Sequence, residues 1–487
     1  MLLAGLWFGP TKPEANLFMN SFRNCLRTLY KGVTLLIRET PIKIRAVIIC
    51  GTCDLPAKAH FLNMKLYSVY FGCQVCLIRG LRLDGVQTYP YVKHPDLRNS
   101  DESLKQATEA LKKREDKSIP KQEPKDVCGV KGPSELSKIA YKYIETTAID
   151  VMHCVYVGIT KRLGTLWFGS EFYDKAFSLT KYLTIINERL AAINPPNFVT
   201  RLPRTISDLA YWKASELKLF LLNYSLPLLH DVMDERYLNH HILLVYGIYL
   251  LNQESISTQM IDLAEKLLHE YISQFNILYG DINMSCNLHL LLHLHEIVRR
   301  FGPLWVVSCF SFENMNGILK KLVHGTKYAE TQICSSVALF LDHEELKRKF
   351  LQETGSDVHS FCTNSDLKRR LKTERISNNL SIVSKTKKPV SLSDSIEYCL
   401  RNIDIIDGSM HTFSRLLINN RVLDCSVYNK NRKTKSSVIK CVVDGVHYIV
   451  IDTSMAIPVE CIEEVLFEIS VKNDVFIVQN VNSIERE

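Results

Sequence analysis

The chain has 487 residues, of which 46% are hydrophobic and 23% are charged, and its formal net charge at pH 7 is +8. This length predicts two or three domains, and the hydrophobic fraction is that of a globular protein with a large core. No stretch reaches the ~18 consecutive apolar residues that a membrane-spanning helix needs, and the N-terminus lacks the basic segment of a signal peptide. A modest positive charge permits a polyanionic partner but does not require one. We therefore expect no membrane association, and we expect the cysteines to be free thiols or metal ligands in a reducing compartment.

The first 98 residues predict an incomplete α/β unit. The apolar run at residues 2–9 reads as a strand, and an amphipathic helix starts near Glu14 and ends at Gly32. A second strand is predicted over Ile42–Cys50, and Asp54 follows directly after its end. A carboxylate at a strand tip is a typical beginning of a divalent-metal site for nucleotidyl transfer.

The remainder of the chain divides by composition and hydrophobic periodicity. The predicted segments are a polar loop or loosely helical insertion at 99–133, an α-helical insertion at 134–300, a helix carrying Glu313 at 301–330, a basic linker at 331–410 and a small β domain at 411–487. Positive charge is densest between Arg348 and Lys388. That stretch is either a solvated linker or a contact for nucleic acid or the nuclear-import machinery.

A C-x-x-C pair, Cys73 and Cys76, has the setting of a zinc knuckle before Gly80. A structural zinc ion needs four ligands, so two more must come from elsewhere in the chain. His94 is the candidate for the third ligand, and the fourth stays open. The alternative interpretation is a pair of unrelated free thiols.

Two further pairs of side chains have metal-ligand or catalytic spacing. Asp150 and His153 lie one helical turn apart, so they either cap a helix through its dipole or orient a ligand or metal. His289 and His293 are four residues apart on one helix face, as in two-histidine zinc sites. A zinc hydrolase is therefore an alternative function, although the sequence offers no obvious third ligand.

Glu313 lies in the apolar sequence CFSFENMNG. A carboxylate buried among apolar side chains without a partner is costly. We therefore expect Glu313 to be paired, to bind a metal, or to lie at the edge of a cleft.

These motifs together carry a resemblance to a known family. The chain resembles transposases of the CACTA (En/Spm) type, including the domesticated copies found in animal genomes. The matching blocks follow the family's order and cover about residues 1–330; they are GLWFGPTKPEAN, IICGTCDLPAKAHFLNMK with FGCQVCL, IDVMHCVYVGITKRL, LPRTISDLAYWKASELKLFLLNYSLPLL and LHEIVRRFGPLWVVSCFSFENMNGILKKLVHGT.

The resemblance implies an RNase H-like catalytic domain interrupted by a helical insertion. Such enzymes hold two Mg²⁺ or Mn²⁺ ions with Asp, Asp and Glu, one ion activating the attacking oxygen and the other stabilising the leaving oxygen. By the resemblance, Asp54 corresponds to the second Asp and Glu313 to the Glu, and Cys73 and Cys76 belong to the family's zinc knuckle. It also implies DNA partners (transposon ends), a homo-oligomer and nuclear localisation.

One catalytic residue of the family has no counterpart in this sequence. The first Asp of the family precedes the block that matches GLWFGPTKP, and the sole acid within residues 1–20 here is Glu14, inside the first predicted helix. We therefore expect an N-terminally truncated transposase-derived protein that cannot cut or join DNA as it stands. The alternative is a domesticated, non-catalytic DNA- or protein-binding module.

Overall fold

The computed structural model describes residues 3–350, except positions 8, 119, 121, 122 and 197, together with nine short strands between residues 373 and 478. The chain divides into two compact units. The first contains residues 1–183 and 206–318, and the second contains residues 184–205 and 319–480.

Helices predominate among the described residues up to 350. The α-helices are α1 (Ala15–Lys31), α2 (Leu55–Phe61), α3 (Ser100–Glu115), α4 (Lys161–Phe168), α5 (Leu183–Ala192), α6 (Ala214–Leu219), α7 (Ser225–Leu229), α8 (Glu235–Leu251), α9 (Thr258–Tyr279), α10 (Cys286–Leu290), α11 (Leu294–Phe301), α12 (Phe310–Lys321) and α13 (Ala329–Phe350). Two π-helices, Met152–Thr160 and Phe220–Tyr224, and several short 3₁₀ turns connect them. None of the described helices is both long enough and apolar enough to cross a lipid bilayer.

The helix predicted after Glu14 is confirmed as α1. The Glu14 carboxylate accepts hydrogen bonds from the amides of Asn16 and Leu17, which otherwise lack partners at a helix start. Gly32 ends the helix at φ +106°, a left-handed conformation that glycine adopts without a steric penalty.

An antiparallel hairpin follows α1, formed by β1 (Val33–Ile37) and β2 (Thr40–Ile44). The predicted strand at Ile42–Cys50 is therefore only partly correct. Beyond β2 the chain makes isolated parallel bridges, Ile48 to Ala140 and Gly51 to Thr147. The strand predicted at residues 2–9 is not formed, since residues 3–7 have no regular structure.

Of the predicted fold class, the structure confirms a large helical region accompanied by small sheets. In the described part of the first unit, the regular strands form two short antiparallel hairpins, β1–β2 and β3–β4 (Leu81–Leu83, Val86–Thr88). The β-branched run before Asp54 pairs on one side only, through single bridges, because no neighbouring segment is extended over the same length. An RNase H-like core therefore stays a prediction.

The polar segment at 99–133, predicted as a loop or a loosely helical insertion, begins as a helix. The Asn99 side chain caps α3 by accepting a hydrogen bond from the Glu102 amide. Small and polar side chains on one face are buried, among them Ser103, Ala107 and Ala110. Such a face carries little hydrophobic signal, which explains why periodicity did not reveal the helix.

The packing of α8 against α9 dominates the helical region. The His240 ring stacks on Tyr271 with ring centroids 4.2 Å apart. A side chain at Gly247 would begin 2.9 Å from Leu268, so glycine allows the two helices to approach closely at this point. This helical core packs against α11 and against the 3₁₀ turn Leu291–His293, which carries one ligand of the metal centre described below.

The second unit contains α13 and small antiparallel sheets. Its strands are β5 (Thr373–Ser377), β6 (Leu380–Val383), β7 (Arg415–Ile418), β8 (Arg421–Asp424), β9 (Ile439–Val443), β10 (Val446–Val450), β11 (Ile462–Val465), β12 (Phe467–Val471) and β13 (Asp474–Val478). They form sheets in the orders β5-β6-β7-β8, β10-β9-β11 and β12-β13. The start of the predicted basic linker lies in α13, whereas its stretches at 351–372 and 384–410 lie outside the described residues.

Candidate metal centre and carboxylate site

Four side chains with metal-binding atoms meet in the interior of the first unit. Two come from the irregular segment between α2 and β3, and two come from α10 and the 3₁₀ turn that follows it. None is more than 2% exposed. They are Cys73, Cys76, His289 and His293.

The spacing of the four ligand atoms fits a tetrahedral zinc ion. Cys76 Sγ lies 3.1 Å from His289 Nε2, Cys73 Sγ lies 4.0 Å from His293 Nε2, and the two Nε2 atoms are 3.3 Å apart. Zn–S bonds of about 2.3 Å and Zn–N bonds of about 2.0–2.1 Å require S···N separations of about 3.6 Å and an N···N separation of about 3.3 Å. Thiolates and imidazoles are also ligands that zinc prefers, in contrast to Mg²⁺ or Ca²⁺. The cluster can therefore hold a metal such as zinc.

This ligand set corrects two expectations from the sequence. His94 is exposed and is not part of the cluster, because His289 and His293 already supply the third and fourth ligand atoms. The same four ligands argue against a zinc hydrolase, since a catalytic zinc keeps a coordination position open for water. A buried centre with four protein ligands is instead typical of a structural metal.

The backbone of the knuckle is held by one buried cation. The Arg98 guanidinium donates hydrogen bonds to the carbonyls of Cys73, Cys76 and Cys128, at 2.9, 3.0 and 2.7 Å. The Val75 amide points at Cys73 Sγ from 3.4 Å, and the Tyr89 ring stacks on the His289 ring at 5.7 Å. These contacts fix the sulfur and imidazole positions and thereby pre-organise the cluster.

The pKa values of the two knuckle thiols are shifted in opposite directions. Burial opposes ionisation of Cys73, but hydrogen bonds from Cys76 and from the two histidines lower its pKa well below that of a free thiol. The pKa of Cys76 is raised by its hydrogen bond with Cys73 and by burial. One thiol is thus ready to bind a metal as a thiolate, the form that a metal requires.

A second C-x-x-C, Cys50 and Cys53, was not singled out from the sequence. It lies just before α2 and contributes no ligand to the Cys₂His₂ cluster. Burial raises the pKa of both thiols, that of Cys53 to about 11, so neither is an activated nucleophile at neutral pH.

A second cluster of potential ligands comprises Asp150, His153 and Cys309. Asp150 Oδ2 lies 2.5 Å from His153 Nδ1, and Oδ1 accepts hydrogen bonds from the amides of Met152 and Cys309 at 3.1 and 2.8 Å. Both carboxylate oxygens are thus occupied. Asp150 therefore orients His153 and links the start of the π-helix to the start of α12, and the ligand atoms of Asp150, His153 and Cys309 are also close enough to share a metal ion.

The two predicted catalytic carboxylates, Asp54 and Glu313, are both near enough to the His153 imidazole to affect its pKa. Asp54 is half-buried and caps α2, accepting the Ala57 amide at 2.7 Å through Oδ1. Glu313 is in the first turn of α12 and is exposed, so the predicted apolar environment is wrong although a position at a cleft edge remains compatible. The pKa of His153 is raised first by its hydrogen bond to Asp150, and Asp54 and Glu313 both add to that rise.

His153 stands on a nine-residue π-helix, Met152–Thr160. π-Helical segments are rare, and they often occur at functional sites. The π-helix begins at Met152, two residues after Asp150. His153 is partly exposed, whereas most of the residues that follow it are buried. The imidazole is thereby held at the surface of an otherwise buried helix.

Because the folded state raises the pKa of His153, its ion pair stabilises the protein only while the ring is charged. That contribution is fully present below the ordinary histidine pKa of about 6.5 and is lost as pH rises through the higher folded-state pKa. We expect His153→Gln to lower the urea midpoint most near pH 6 and progressively less at higher pH. A pH-independent loss in His153→Gln would contradict this assignment.

The sequence matches no family model and no curated protein among those with which it was compared. The transposase resemblance therefore depends on the sequence blocks given above.

Proposed function

We propose that this protein derives from a metal-dependent DNA transposase whose catalytic site lay at Asp54, Glu313 and His153. The observation that carries the proposal is the backbone geometry around Asp150. Parallel bridges join the chain before Asp54 to residues 140–147, and the Cys309 amide, four residues before Glu313, donates to the Asp150 carboxylate. Both Asp54 and Glu313 also add to the rise in the pKa of His153. Both are the residues that the resemblance assigns to the ancestral triad.

Local structure supports an RNase H-like origin of this site. In such folds the second Asp follows a strand of a parallel pair, and here the chain leading to Asp54 bridges in parallel to residues 140–147. The Gly51 amide donates to the Thr146 carbonyl and the Ala148 amide donates to the Gly51 carbonyl, both at 2.8 Å. This pairing brings Asp54 and Asp150 to the same end of two neighbouring segments.

Each side chain of the site has a distinct role in the proposed ancestral reaction. Mg²⁺ or Mn²⁺, when bound, would neutralise charge on the phosphate under attack. The free oxygen of Asp54 and the Glu313 carboxylate are the groups that would hold it, since oxygen ligands suit these ions. The charged form of His153, which the hydrogen bond to Asp150 favours, would present its other ring nitrogen as a hydrogen-bond donor to a phosphate oxygen.

In this proposal the Cys₂His₂ cluster holds a structural zinc ion. Its ligands join the knuckle after α2 to α10, so the ion fastens the Asp54 segment to the helical region. DNA as the partner, self-association and nuclear localisation belong to the same proposal.

A non-catalytic DNA- or protein-binding module is the second candidate. The observation that favours it is the use of both Asp150 oxygens in hydrogen bonds, which leaves two free carboxylates at the site instead of three. Two carboxylates can hold an ion weakly, but they are one ligand group short of the two-metal arrangement.

The proposal is tested by titrating the full chain with Mn²⁺ and following the signal of the free ion by electron paramagnetic resonance. We expect one weak site with a dissociation constant in the millimolar range. Asp54→Asn and Glu313→Gln should each weaken it at least about tenfold, equivalent to about 1.4 kcal/mol. Glu115→Gln, which removes an exposed carboxylate at the end of α3, is the matched control.

The titration separates the two proposed metal centres. Mn²⁺ prefers oxygen ligands and does not compete for a thiolate–imidazole site, so the Cys₂His₂ cluster should not contribute to the signal. If Asp54→Asn and Glu313→Gln bind Mn²⁺ as the unchanged protein does, these residues do not form a metal site and the transposase assignment fails.

A further inference from the structure

An open groove of about 770 Å³ lies between the end of α1, the start of α3 and the segment 137–143. Its lining is rich in cations and tyrosines. They are Arg27, Tyr30, Lys31, Lys138, Tyr141 and Lys142. Asp101 is the single carboxylate among the lining residues, so the groove carries a net positive charge.

Most of that positive charge is free to meet a ligand. Lys138 is paired with Glu135. Among the described residues, Arg27, Lys31 and Lys142 have no carboxylate within ion-pair distance. Three uncompensated cations around one concave surface attract an anion with several charges.

The tyrosines add flat surfaces to this positive groove. Tyr30 and Tyr141 are 60% and 63% exposed, so their rings are open to a ligand in the groove. Lys142 lies over the Tyr141 ring, with its Nζ 5.7 Å from the ring centroid. The backbone of Lys142 is at φ +49°, a left-handed conformation that a lysine adopts at an energetic penalty. The strain positions this Lys–Tyr pair at the groove.

The groove walls are fixed to each other. Arg23 on α1 forms an ion pair with Glu135 at 3.3 Å. The Asn16 side chain donates to the Pro133 carbonyl at 3.4 Å and accepts from the Glu135 amide at 2.9 Å. A ligand therefore meets a largely preformed surface and loses little affinity to ordering it.

We propose that this groove binds a single strand of DNA, with phosphates on Arg27, Lys31 and Lys142 and bases stacked on Tyr30 and Tyr141. Proteins that bind single strands combine a positive groove with exposed aromatic rings in this way. The inference rests on the proposed function for the choice of DNA as the polyanion.

The position of the groove relative to the carboxylate site fits a strand that continues toward it. Ala140, in the groove, bridges to Ile48, and Asp54 is six residues further along that chain. Six extended residues at about 3.3 Å each, plus about 5 Å between the bridged segments, place the two at most about 25 Å apart, the length of a few nucleotides. The groove would thus hold a strand displaced from the duplex near the site of cleavage.

The test measures fluorescence anisotropy of a labelled single-stranded 20-mer on the full chain, with no Mg²⁺ or Mn²⁺ added, so that carboxylate-bound metal plays no part and the structural zinc ion is retained. We expect the triple change Arg27→Ala, Lys31→Ala and Lys142→Ala to weaken binding at least about tenfold. It should also reduce the slope of log K against log salt by about 2, since each neutralised phosphate contributes about 0.7 for a single strand. Tyr141→Ala should weaken binding about fivefold or more, whereas Tyr141→Phe should retain it because the ring still stacks.

The control variant removes a lysine that lies over a tyrosine ring elsewhere in the first unit. Lys181 lies 4.9 Å over Tyr182, outside the groove, so Lys181→Ala together with Lys175→Ala removes surface cations without touching it. These control changes should leave the anisotropy curve unchanged, and thermal melts should show that every variant is folded.

Three results would overturn the inference. If the groove variants bind the single strand as tightly as the unchanged protein does, the groove is not the binding site. That result would leave the Mn²⁺ test of the carboxylate site unaffected. Duplex DNA bound more tightly than the single strand would contradict the stacking role of the tyrosines. If the unchanged protein binds no DNA at all, the groove assignment fails whatever the Mn²⁺ titration shows.

Discussion

Cys73→Ser is expected to release the metal from the protein and to destabilise the first unit by several kcal/mol. The cluster is fully buried, and it connects segments 213 to 220 residues apart in the chain. Loss of a ligand leaves two buried imidazoles and a thiol without their ion, and metal binding free energy in structural sites is folding free energy. We expect metal analysis by mass spectrometry to fall from about one zinc per chain to near zero. The melting temperature should drop by about 10 °C or more.

Two control variants make this result specific to the cluster. Cys25→Ser makes the same chemical change at an exposed thiol and should retain the zinc. His94→Ala removes the ligand that the sequence alone suggested and should also retain it, because the four positions are already filled. If Cys73→Ser keeps one zinc per chain, or if His94→Ala loses it, the ligand set is wrong.

The second large effect concerns catalysis. We expect Mg²⁺- or Mn²⁺-dependent nicking of DNA only from a protein in which a third free carboxylate joins Asp54 and Glu313. In such a protein Asp54→Ala or Glu313→Ala should each reduce the nicking rate by several orders of magnitude, because the ligands act as a unit.

The comparison protein for nicking is the 487-residue chain itself, which should be inactive under the same conditions. Asp150→Asn is an informative third variant, since Asp150 positions His153 and both of its carboxylate oxygens already accept hydrogen bonds. It should slow nicking less than loss of Asp54. Full activity after Asp54→Ala or Glu313→Ala would show that the residues were assigned incorrectly.

The zinc cluster and the carboxylate site are physically connected. The Cys154 thiol on the π-helix lies 3.5 Å from the Asn287 carbonyl, two residues before His289 in α10. At the other end, Asp150 accepts the Cys309 amide, which leads into α12 and Glu313. We therefore expect zinc removal to weaken Mn²⁺ binding at Asp54 and Glu313 although neither residue touches the cluster.

Local features of the chain could be read from the sequence. The carboxylate at Glu14 and the glycine at position 32 mark the ends of α1, because capping and left-handed geometry depend on adjacent residues. The knuckle spacing of Cys73 and Cys76 and the helical spacing of His289 and His293 were also visible, each as half of a metal site. The repeated apolar spacing after residue 134 indicated the helical region for the same reason.

Only the tertiary structure decided how these parts combine. The two halves of the metal centre are joined because the knuckle packs against α10, and no local pattern specifies a partner 213 residues away. Likewise, the spacing of Asp150 and His153 left open whether Asp150 binds a ligand or caps a helix. In the structure the Asp150 carboxylate accepts a hydrogen bond from the Cys309 amide, 159 residues away in the sequence. The strand before Asp54 showed the β-branched pattern of a sheet, yet it makes only isolated bridges, because a strand needs neighbours along its length. Sequence thus determined the ligand types and their local spacing, whereas non-local packing determined which of them share a site.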